Sequence, residues 1–73
     1  MADDLRSLVQ RTTCAAITEF ELTQGAIAAN IVAEGYVLGA VAFLKSARGK
    51  REAYRIVQRI SDELAEAVIE QKG

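Results

Sequence analysis

Few side chains in this chain could do chemistry. Cys14 is the single thiol, histidine is absent, and Asn30 and Glu34 stand one helical turn apart in an otherwise apolar run. A lone cysteine excludes an internal disulfide, and without histidine the ordinary zinc and haem ligand sets cannot be assembled. Cys14 falls almost opposite the apolar stripe of its helix and reads as a small residue at a helix contact rather than a reactive thiol. A general-acid role for Glu34 would need an apolar pocket to raise its pKa, with Asn30 as a helper amide. No second acid, base or metal ligand stands near it in sequence. The two residues therefore read as the water-facing edge of a helix, or Glu34 as the partner of an arginine on another helix. No catalytic, cofactor-binding or metal-binding residue is assigned, and the chain is read as a non-enzyme.

The basic residues are the other group with chemical potential. Lys45, Arg48, Lys50, Arg51, Arg55 and Arg59 are six of the nine lysines and arginines. Gly49-Lys50 is not a phosphate loop, because that motif needs glycine where Leu44 stands and serine or threonine where Arg51 stands. The six are instead candidates for nucleic-acid phosphate contacts, with Tyr54 available to stack on a base. Asp62, Glu63, Glu66 and Glu70 follow, so the last helix is divided by sign. This order opposes the helix dipole, and the Arg51, Arg55, Arg59 column adds like-charge neighbours costing roughly 0.2 to 0.5 kcal/mol per pair. Arg59 with Glu63 would recover part of that. Three readings follow: an antiparallel two-fold pair setting the basic half of one helix against the acidic half of its mate, a phosphate-binding face, or a solvated face.

These groups must be positioned by helices. At 73 residues with 51% hydrophobic content, only 5% aromatic, and no proline or tryptophan, the composition is that of an alanine-rich helical core. Such a chain lies near the lower size for a self-sufficient core. The expectation is an all-α fold, a small bundle of about three helices in one domain, spanning roughly residues 3–20, 23–47 and 50–71. In the first helix Asp3 or Asp4 caps the start, and Leu5, Leu8, Val9, Thr12, Ala16 and Phe20 form the core stripe. Thr23 is read as the N-cap of the second helix after a short connection at Glu19–Leu22. Gly49 is read as a left-handed C-cap, with a single helix bent at that point as the alternative. In the third helix Ala53, Ile56, Val57, Ile60, Leu64, Ala67 and Val68 make one stripe.

The segment Ala26 to Leu44 organises the rest. From Gly35 to Leu44 every direction around the helix axis is apolar or glycine, the pattern of a helix buried all round or of a membrane span. Two further helices cover about half of such a cylinder, so the remainder must meet a second copy, another protein or lipid. Gly25, Ala29 and Ala33 form one row of small residues, and Gly35 and Gly39 another. Close backbone approach would repay the cost of those glycines. The expected oligomer or partner contact is Gly35, Leu38, Gly39, Val41 and Ala42.

Leu22-Thr23-Gln24 followed by Ile27-Ala28 and Ile31 is similar to the opening of repressor-type helix-turn-helix domains. The reading helix would then be Tyr36 to Leu44, which has no Arg, Gln, Asn or Ser to reach base edges, so no family is claimed. The sequence reading is a small interaction protein, an adaptor, inhibitor or regulatory subunit, that acts as a homodimer or docks on a larger protein. The alternative is a nucleic-acid-binding regulator using the basic turn and third helix. A membrane-inserted protein ranks third, since Asn30 and Glu34 would lie near mid-bilayer. No cofactor is expected. The acidic start and single cysteine point to the cytoplasm.

Overall fold

The computed structural model describes residues 2–72, and the described residues form three α-helices and an all-α fold: α1 Ala2–Gln24, α2 Ala26–Arg48 and α3 Lys50–Lys72. Each is 23 residues long. Asp3 and Asp4 lie in the first turn of α1, where the dipole favours them.

A single glycine makes each break. Gly25 and Gly49 have φ of +92° and +91°, a left-handed conformation that costs an L-residue roughly 1–2 kcal/mol and glycine almost nothing. Each serves both neighbours. The Gly25 amide closes α1 by donating to the Glu21 carbonyl at 2.8 Å, and its carbonyl accepts from Ala29 at 3.1 Å to open α2. Gly49 repeats this with Lys45 at 3.1 Å and Ala53 at 3.0 Å. The expected cap at Gly49 is therefore present, and the helices on either side of it are separate.

The first connection differs from the sequence reading. Thr23 does not open α2. It belongs to the last turn of α1 and its Oγ1 donates to the Phe20 carbonyl at 3.0 Å. Glu19 to Leu22 is helical, and Gly25 supplies the break. A left-handed glycine reverses the chain in one residue, so no side-chain cap is needed.

The chain divides into two compact units, Met1–Val37 and Leu38–Gly73. In the first, Thr13, Ile17 and Phe20 of α1 are half-buried opposite the start of α2, where Ala29 is buried and Ala28, Val32 and Ala33 are half-buried. In the second, Val41 and Leu44 of α2 are half-buried, as are Glu52 and Ile56 of α3, and Ala53 is buried. Among the described residues, the buried positions lie within a turn or so of each glycine, and partial cover extends a few turns further. In each unit the buried residue is an alanine four positions past the glycine, where two rods joined by one residue lie close together.

The stripe expected on α1 is displaced. Of its members only Phe20 is partly covered; Leu5, Leu8, Val9, Thr12 and Ala16 are exposed. At 100° per residue the covered face, Thr13 to Phe20, lies about a quarter turn from the centre of that stripe. The direction in which Gly25 turns the chain decided which face meets α2. The stripe on α3 is correctly placed but only its start is covered. Leu8-Val9-Gln10-Arg11 and Ile56-Val57-Gln58-Arg59 sit at the same step of α1 and α3, yet only the second run includes a half-buried residue, Ile56. Proximity to a glycine corner, not residue type, separates them.

Candidate association surface

The buried hydrophobic residues are Ala29 and Ala53, while many large apolar side chains are exposed along all three helices. On α2, Leu38 is 68% exposed and Phe43 60%. The helix is long and apolar enough to cross a membrane, and little of that stretch is fully buried. On α3 the uncovered stripe continues through Ile60, Leu64 at 67% and Val68 at 46%.

The residues expected to form the contact divide into two sets. Gly35 in the first unit, and Leu38, Gly39 and Ala42 in the second, are exposed. A methyl group added at Gly35 or Gly39 would meet nothing within 4 Å. Packing under bulky neighbours of the same chain therefore does not explain these glycines. Val41 differs: it is half-buried beside α3, within the chain's own contact.

The basic residues gather at the corner around Gly49. Arg48 ends α2, its Nη1 donating to the Ala47 carbonyl at 3.2 Å and its guanidinium carbon lying 5.9 Å from the Phe43 ring centroid. That distance suits a cation–π contact. Lys45 and Lys50 border an open crevice of about 280 Å³ whose floor is Val41, Ala53 and Val57, with Tyr54 at its side. Arg51, Arg55 and Arg59 line a second shallow depression with Tyr54, Gln58 and Asp62.

Arg55 is engaged differently from the sequence reading. It pairs with Glu52 one turn earlier, Arg55 Nε donating to Glu52 Oε2 at 3.1 Å and Nη2 to Oε1. The hydrogen bonds from Arg55 hold the Glu52 carboxyl below its ordinary pKa and raise that of Arg55. Among the described residues the ion pair on α3 is this one, not Arg59 with Glu63. Gln58 Nε2 donates to Asp62 Oδ1 at 3.0 Å, linking the basic half to the acidic half. Glu52 was legible in the sequence as the one acid amid the arginines, three residues before Arg55.

The candidate chemical groups are open to water. Glu34 is exposed, so the apolar pocket that general-acid work would need is not there. Cys14 is exposed as well; its carbonyl accepts from Thr18 Oγ1 at 2.8 Å. The described residues present exposed apolar side chains on all three helices and a basic corner around Gly49, in an all-α fold. No family model matches the chain, and neither a curated protein nor a solved structure matches it.

Proposed function

We propose that this protein is a small helical interaction protein, working by binding rather than by chemistry. It acts as a homodimer, or docks its apolar helices on a larger protein as an adaptor, inhibitor or regulatory subunit in the cytoplasm. The observation that carries the reading is the disproportion between the buried residues, Ala29 and Ala53, and the exposed leucines, isoleucines, valines and phenylalanine. Contiguous apolar surface of that kind marks a face that another molecule covers. Gly35, Leu38, Gly39 and Ala42, with Val41 at their edge, are the proposed contact on α2.

The absolute mass of the purified protein in detergent-free buffer, measured by light scattering, tests this. A closed dimer or higher oligomer is expected. A stable monomer overturns self-association, and protein recovered only in detergent moves α2 into a bilayer instead.

One observation favours a second reading, a nucleic-acid-binding regulator. Tyr54 is 70% exposed and shares a depression with Arg51, Arg55 and Arg59, and Lys45, Arg48 and Lys50 lie at the adjoining corner. Contacts there would go to phosphates, with little preference for sequence.

A further inference from the structure

We infer that α3 pairs with α3 of a second copy, antiparallel about a two-fold axis passing between Ile60 and Ser61, so that Leu64 of each chain seats against Val57 of its mate and Val68 reaches the mouth of the crevice above buried Ala53. This rests on the association proposed above, takes the partner to be a second copy, and adds a face on α3 to the one on α2.

The first support is self-complementarity. Val57 and Leu64 stand equally far from the point between Ile60 and Ser61, and so do Ala53 and Val68. An antiparallel pair centred there sets each beside its counterpart, as an isologous interface requires. At 100° per residue the four fall within about 60° of arc, one continuous seam. Only the first part of that seam is occupied by the chain's own α2. From Val57 onward, at 36% exposure, it opens to water.

The crevice supplies a shape for the incoming helix. Its lining is apolar, from Val41, Ala53, Tyr54 and Val57 together with the stems of Lys45 and Lys50, which bring positive charge to this corner. The matching ligand is a helix with branched apolar side chains and carboxylates. The acidic half of α3 is such a helix: between Arg59 and Lys72 it has Leu64 and Val68 with Asp62, Glu63, Glu66 and Glu70, and no base. Glu63 and Glu70 lie in one column with Ile56, the side on which α2 packs. Across the two-fold axis that column points toward the partner's Lys45. The edge of α2 carrying Val41 and Lys45 continues to exposed Leu38, which extends the seat.

Charge then selects direction. Arg55 and Glu66 are equidistant from the axis, as are Arg59 and Asp62. These residues face away from the seam and do not pair across it. Their blocks nevertheless lie side by side, opposite in sign when the helices are antiparallel and alike when they are parallel. With packed helix axes about 8–10 Å apart, the blocks stand at about the Debye length of roughly 10 Å at 0.1 M salt or beyond it, so the preference is strongest at low ionic strength.

The test is a mixed disulfide. In a Cys14→Ser background, Val57→Cys and Leu64→Cys chains are prepared separately, then oxidised alone and after mixing. The mixture is expected to give a covalent dimer approaching half the protein. Neither variant alone is expected to do so, because like positions stand about 10 Å apart along the axis, beyond the roughly 7 Å that a disulfide spans. Cross-linking of either variant with itself overturns the antiparallel register. A dimeric mass for the unmodified chain with no mixed cross-link overturns this face while leaving association standing, and a monomeric mass overturns both.

Discussion

Ala29 and Ala53 hold equivalent places in their two units. The amide of each donates to the carbonyl of the left-handed glycine four residues earlier, at 3.1 and 3.0 Å, and each is a buried residue of its unit. The first turn after a one-residue corner lies against the helix just left, and a methyl group is what the space admits. Enlarging either residue should be felt. Ala29→Leu or Ala53→Leu is expected to destabilise its unit by about 1–3 kcal/mol through overpacking, read from urea unfolding followed by circular dichroism.

The glycines divide by conformation. Gly25→Ala and Gly49→Ala force an L-residue to positive φ and should each cost roughly 1–2 kcal/mol. Gly35→Ala and Gly39→Ala have normal helical geometry and open space around the new methyl, so the isolated chain should gain about 0.5–1 kcal/mol from each. If the Gly39→Ala protein has lost mass by light scattering, a partner backbone was approaching that face.

Apolar contact and folding can be separated by choice of site. Leu64→Asp, at an exposed position, should halve the measured mass at micromolar concentration while leaving helicity unchanged. Leu38→Glu should weaken assembly too, since it adjoins the crevice. Val41→Glu is expected to lose folding as well, because Val41 is half-buried against α3. An oligomer unaffected by both Leu38→Glu and Leu64→Asp would place the contact elsewhere.

Charge reversal ranks the two functional readings. Arg55→Glu combined with Arg59→Glu should abolish any retention on nucleic acid and only weaken the dimer, tested by gel shift and light scattering at two salt concentrations. Loss of the dimer with nucleic-acid binding intact would reverse the ranking of the two proposed contacts.

The Glu52–Arg55 pair gives a pH dependence of known sign. Arg55 holds the Glu52 carboxyl below its ordinary value. The pair's contribution is therefore present above the unfolded carboxylate pKa, about 4.3, and is lost as pH falls through the lowered folded value. Thermal melts of wild type and Glu52→Gln between pH 2 and 7 should differ near neutrality and converge in acid. Arg55 is exposed and half-buried Glu52 still meets water, so the difference is expected to be small.

Helix content, the three segments, the left-handed cap at Gly49 and the apolar stripe of α3 were all legible in the sequence, because each rests on local spacing: period, capping chemistry and glycine's freedom at positive φ. The same logic pointed to more apolar surface on α2 than one short chain covers, and Leu38 and Phe43 are indeed exposed. The role of Gly25 was obscured by Thr23, whose hydroxyl suits an N-cap equally well; its bond to the Phe20 carbonyl emerges only once α1 continues past it. Which face of α1 is covered was not legible either. Leu5, Leu8 and Val9 make the stronger stripe, but the turn at Gly25 presents Thr13, Ile17 and Phe20 to Ala29. Periodicity identifies the faces that can be buried. The direction of the chain at a one-residue corner, and the short reach of contact beyond it, decided which of them are.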